Sequence, residues 1–259
     1  MTSPFPPGTF TPRPGTGAPG RMLAAQAGTE LRLALRNGEQ VLLTLVIPVL
    51  LLVGLTLVDV IPLPEPRVAT VTPSVLALAV MSTAFTSQAI AFGFDRRYGV
   101  IRRLAATALP RWLLVAGRLV AVLGVVAIQL VVLGALAAGL GWRPEPAGLG
   151  WALLLVLLGC AAFGALGILL GGTLRADVVL AVANAVWFVL LLGGGIVVPL
   201  DRLPGPVATA AALLPSGALA EGLRTALTTG AAPGAGPVLV LLAWTAAGTA
   251  LAVRTVRLR

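Results

Sequence analysis

Seven side chains capable of strong binding chemistry crowd into one short stretch: Asp95, Arg96, Arg97, Tyr98, Arg102, Arg103 and Arg111. The five arginines fall between an apolar run that ends at Phe94 and another that begins at Leu113. Such a group can hold anions, carboxylates or aromatic faces, but nothing near it makes or breaks bonds. The chain has no histidine, which excludes Ser-His catalysis, His-ligated metal and HExxH chemistry. Its eighteen basic residues are all arginine, and without lysine there is no Walker A phosphate loop. The nine acids are scattered and form no DxxD or ExxE pair that could bind a catalytic metal or run acid–base steps. Cys160 is alone, so no disulfide forms within the chain.

The elements that must carry this stretch are membrane-length. Of 259 residues, 58% are hydrophobic and 10% charged, against about 25% charged in soluble domains. Mean hydropathy is +1.01. Six apolar runs are expected to span: 41–60, 74–94, 113–140, about 151–172, 178–198 and 237–253. Pro48 and Gly54 are tolerable kinks in the first. The second is unusually polar, with Ser82, Thr83, Thr86, Ser87 and Gln88. Arg118 lies early enough in the third to snorkel to headgroups. Trp142 and Trp151 bracket a short turn. Gly167 and Gly171 give a GxxxG spacing for close helix approach in the fourth. Asn184 and Trp187 fall in the middle of the fifth, where polar groups are costly unless they face protein or water.

Between the spans, residues 1–20 read as a disordered Pro/Gly/Thr tail, and 21–259 as one transmembrane domain. Leu23, Ala27, Leu31 and Leu35 mark an amphipathic helix in the membrane interface. Phe94, Tyr98, Ile101, Ala105 and Ala108 fall on one helical face, with Arg96 and Arg103 on the other; Gly99 interrupts this helix and Pro110 stops it. Residues 204–237 are too interrupted to span. They hold a short interfacial or re-entrant helix with Ser216 as N-cap and Leu219, Leu223 and Leu227 in register. With both termini inside, only Arg67, Arg143, Arg202 and Arg224 of the eighteen arginines fall outside. This bias predicts six spans in the plasma membrane with cytoplasmic ends. The formal charge of +9 is accounted for by loop ends, so nucleic acid is not expected as a partner.

The order Asp-Arg-Arg-Tyr-Gly, a basic pair, Leu and small residues, then Pro-Arg-Trp and Gly-Arg entering the next span resembles the cytoplasmic loop of ABC-2 type permeases. Pro-Ser followed by Glu-x-x-Arg before the last span is a second, weaker likeness. The resemblance implies an all-α permease subunit of an ATP-driven exporter of drugs or lipids, paired with an identical or related copy. It implies that residues 95–104 form a coupling helix. Tyr98, Gly99, Ile101, Arg102 and Leu104 would meet a separate ATPase subunit, with Asp95 and Arg96 fixing the helix to its own bundle. ATP and magnesium would then be bound by that partner, leaving this chain without a cofactor or metal. Thr83, Gln88, Asn184 and Trp187 would line the substrate path. A channel or membrane scaffold is the alternative; the polar second span could line a pore, but no ring of acids accompanies it.

Overall fold

The computed structural model describes residues 17–58, 65–106 and 110–256, and these are mostly helical, with no strand among them. Most of the tail expected to be disordered, with Ala108, Arg257 and Arg259, lies outside the described residues. Helix α1 (Pro19–Arg36) leads into α2, made of the contiguous segments Gly38–Val41, Leu42–Val46 and Ile47–Leu57. Helix α3 takes in Arg67–Arg97 and the short α4 Val100–Ala105. Then come α5 (Arg111–Gly139), α6 (Leu149–Thr173), α7 (Ala176–Gly193), α8 (Gly205–Ala212), α9 (Pro215–Thr229) and α10 (Ala235–Thr255).

Five helices, α3, α5, α6, α7 and α10, are each long and apolar enough to cross a membrane. The sixth candidate, α2, is shorter in its apolar part, yet its three segments form one run of twenty residues. At 1.5 Å per residue that run is about 30 Å long, matching a hydrocarbon core. Two turns are π-helical, Leu42–Val46 in α2 and Ser82–Ser87 in α3.

Helix α3 is the axis of the packing. It is buried on nearly all sides, and α2, α5, α6, α7 and α9 all lean on it. It begins at Arg67, seven residues before the expected Ser74, because Pro73 is carried inside the helix. Proline costs one backbone bond, which membrane helices tolerate when neighbours re-pack around it. Helix α6 meets α3 through its glycines. A Cβ at Gly167 would lie 2.8 Å from the Phe85 carbonyl oxygen, and Gly171 sits as tightly on the Ala89 carbonyl. Backbones approach this closely only where side chains are absent.

Helix α1 packs along α5 through its Leu23–Ala27–Leu31 face, with Gln26 over Gly117 and Leu31 over Gly124, and leaves Leu33 and Leu35 exposed. Three expectations require correction. Arg118 does not snorkel; it is mostly buried and paired with carboxylates. Helix α7 stops at Gly193, earlier than Val198, because the Gly193-Gly194-Gly195 run unwinds it and Gly195 takes φ +71°. Finally, Leu214 rather than Ser216 occupies the N-cap of α9, and Ser216 is a fully buried residue of its first turn. Pro215 explains the shift, since proline suits the first helical position. Helix α9 is not superficial. Its Leu219 and Gly222 lock against Gly159 and Leu155 of α6, so it enters the bundle as a re-entrant element.

Candidate docking site and polar path

Gly99 shapes the basic face. Tyr98 closes α3 by donating its N–H to the Phe94 carbonyl, and Gly99 then turns with φ +68°. Few residues other than glycine adopt that left-handed conformation without strain. The expected single kinked helix is therefore two. Phe94 belongs to the end of α3, and the six-residue α4 starts afresh at Val100. Arg103 donates to the Tyr98 carbonyl and braces the corner.

The two residues before the corner point into the bundle. Asp95 pairs with Arg118 of α5, whose guanidinium also lies 3.9 Å from Glu30 of α1 and 5.4 Å over the Phe92 ring. Three helices thus share one charge cluster. Arg96 donates to the carbonyl oxygens of Gly171 at 2.9 Å and Leu174 at 3.4 Å, placing a cation where α6 ends. Cations are favoured at helix C-termini. Arg97 pairs with Asp177 at 2.5 Å.

The residues after these face outward. Tyr98 stacks on Phe94 with ring centroids 6.1 Å apart, yet it is 64% exposed. Arg102 is exposed, while Ile101 and Leu104 are half-buried. Between this corner and the turn from α6 to α7 lies a cleft of about 600 Å³, lined by Arg96, Arg97, Ile101, Arg102, Arg175 and Asp177 among others. Two parts of one face are therefore separately built: Asp95 and Arg96 against the bundle, Tyr98 to Leu104 toward the outside.

The four residues chosen for a substrate path are dispersed. Thr83 is buried between helices and donates to Gln129 Oε1 at 2.9 Å; Gln129 Nε2 in turn donates to the Thr44 carbonyl. Trp187 Nε1 donates to Ser82 Oγ at 2.9 Å, tying α7 to the π turn of α3. Asn184 is exposed and, among the described residues, bonds only to the Leu180 carbonyl of its own helix. Gln88 Oε1 and Thr86 Oγ1 are buried with no hydrogen-bond partner among the described residues.

Gln129 was missed by the sequence reasoning, although it is the single amide in the long apolar α5. It joins the π turn of α2 to the π turn of α3, and π turns recur at functional positions. Arg224 was taken only as part of a motif. On the opposite face its guanidinium donates to Glu221 at 2.6 Å, Ser74 Oγ at 3.2 Å and the Gly195 carbonyl at 3.4 Å, which pins the unwound end of α7 to the start of α3. Among the described residues no group of three metal-ligating side chains occurs.

Comparison with known families matches residues 25–228 to the ABC-2 type transporter family. No curated protein matches the chain.

Proposed function

The chain belongs to the ABC-2 type transporter family, and from that premise we propose that it is the permease subunit of an ATP-driven exporter of hydrophobic or amphipathic small molecules. Two permease subunits, identical or related, face each other in the plasma membrane with their termini in the cytoplasm. A separate ATPase binds ATP and magnesium and docks on the α3–α4 corner.

The observation that carries this reading is the division of labour at that corner. Asp95 and Arg96 are spent on the chain's own helices, while Tyr98 and Arg102 stand exposed beyond a glycine break. Aromatic and arginine side chains dominate protein interfaces when centrally buried, at about 2 kcal/mol or more each. A push on α4 would reach α3 through Gly99, and α3 through Asp95–Arg118 reaches α5 and α1. Energy enters because the ATPase binds this corner differently in its two nucleotide states; only a differential interaction moves a conformational equilibrium.

In this reading the path runs along α3 and α7, with Gln88, Asn184 and Trp187 beside it. Thr83 contributes from behind, through Gln129. Gln88 Oε1 is buried and without a hydrogen-bond partner among the described residues, so in this reading it meets water or substrate only when the helices part. Co-purification with the product of the adjacent gene tests the assembly, and stimulation of its ATP hydrolysis by candidate compounds tests the substrate class. A chain that copurifies with no ATPase and conducts ions when reconstituted would be a channel instead.

A further inference from the structure

We propose that the cleft between the α3–α4 corner and the α6–α7 turn is a binding site for the phosphate headgroup of an anionic phospholipid. Its lining holds four guanidinium groups, Arg96, Arg97, Arg102 and Arg175, against the single carboxylate of Asp177. Two of the four are already engaged, Arg96 by carbonyl oxygens and Arg97 by Asp177. Arg102 and Arg175 line the same space and have no hydrogen-bond or ion-pair partner among the described residues.

The backbone adds to this. Helix α7 starts at Ala176 with no side-chain cap, and its first N–H satisfied by the preceding turn is that of Val179, which bonds to the Arg175 carbonyl. The N–H groups of Ala176, Asp177 and Val178 have no carbonyl within the helix to bond. They add the positive end of an eighteen-residue helix to the two free arginines. Guanidinium forks and backbone amides together suit the two non-bridging oxygens and the net negative charge of a phosphodiester.

Position selects the source of that phosphate. The cleft lies at the ends of α3, α6 and α7, each long enough to cross a membrane, so it stands at headgroup depth. From its edge the exposed apolar side of α7 runs on through Val178, Ala181, Ala185 and Phe188, where an acyl chain can lie. A carboxylate on a soluble partner would use the charge and leave that strip uncovered. The site shares Arg102 with the docking proposal, whereas Arg175 belongs to the site alone.

The test is native mass spectrometry of the full-length protein, delipidated in neutral detergent and titrated with phosphatidylglycerol or phosphatidylethanolamine. The wild type is expected to retain phosphatidylglycerol at least tenfold more tightly. Arg175→Gln should lose most of that preference and the Arg102→Gln/Arg175→Gln pair all of it. Arg143→Gln, on the opposite face, should keep it. Arg175→Lys guards against a folding defect and should restore part of the preference. Equal retention of both lipids by the wild type, or full preference in the double variant at an unchanged melting temperature, overturns the proposal. A stabilisation by inorganic phosphate in lipid-free detergent equal to that by phosphatidylglycerol would overturn the lipid assignment in favour of a free anion. Loss of ATPase retention in Arg175→Gln with lipid preference intact would give the cleft to an acidic partner surface, and also overturns it.

Discussion

Arginine serves opposite purposes at the two faces of this molecule. Arg224 is mostly buried and spends its guanidinium on Glu221, Ser74 and the Gly195 carbonyl, all within the chain. Arg102 and Arg175 line an open cleft and have no partner among the described residues. The same contrast runs through the elements that carry them. Helix α9 is locked against α6 through glycine contacts, whereas α4 is a six-residue helix beyond the Gly99 corner. One face holds its arginine through three contacts within the chain; the other leaves two arginines without a partner among the described residues. A cation that is already paired holds structure, and one left over marks where recognition is expected.

The strongest way to break this contrast is at the closed face. Arg224→Leu strands Glu221 and frees the unwound end of α7. Removing one partner of a buried ion pair costs about 3 kcal/mol, at the lower end of the range here because Glu221 is 40% exposed. A large drop in melting temperature and in yield of folded protein is expected. Unchanged stability would mean that the network is ornamental. Next in size is Gln129→Leu, which removes two hydrogen bonds between the π turns and leaves Thr83 buried without its acceptor. A loss of about 1 to 2 kcal/mol follows, with faster hydrogen exchange in residues 42–46 and 82–87. Exchange unaltered in both segments would separate the π turns from Gln129.

The open face should respond in the reverse manner. Tyr98→Ala and Ile101→Asp lie away from the packed core, so their effect on stability should stay within about 0.5 kcal/mol. A melting temperature lowered as far as that of Arg224→Leu would show that the corner is part of the core after all. Smallest of all is Asn184→Ala, whose side chain, among the described residues, bonds only within its own helix. Assembly should be unaffected, with a change confined to which compounds are exported. Unchanged export specificity would assign Asn184 to helix packing and lipid contact.

Hydropathy made the long helices legible, since few charges interrupt α5, α6, α7 and α10. The basic corner was legible too, because Arg96 to Arg111 interrupt an otherwise apolar chain. Fine structure was not. Nothing in composition tells a glycine inside a helix from Gly99 ending one, since both cost about the same in propensity and only the left-handed φ separates them. The second span read as starting at Ser74, because the pattern does not say whether neighbouring helices will absorb the bond that Pro73 lacks. Arg118 read as a lipid-facing cation because its partners, Asp95 and Glu30, lie 23 and 88 positions away in sequence. The burial of α9 was hidden for a similar reason: its small and polar residues suit an interface until α6 is seen to supply glycine at the contact. The π turns carry no recognisable pattern in this sequence.

The measurement closest to the central claim is retention of the ATPase by corner variants. Tagged Tyr98→Ala and Ile101→Asp chains are expressed with their neighbouring genes, purified at matched yield, and assayed for bound P-loop ATPase and for compound-stimulated ATP hydrolysis. Inserted and stable protein that has lost the ATPase is the predicted result. Both variants retaining it at wild-type levels, while Arg-to-Gln changes in the same corner disturb only membrane insertion, would contradict the account.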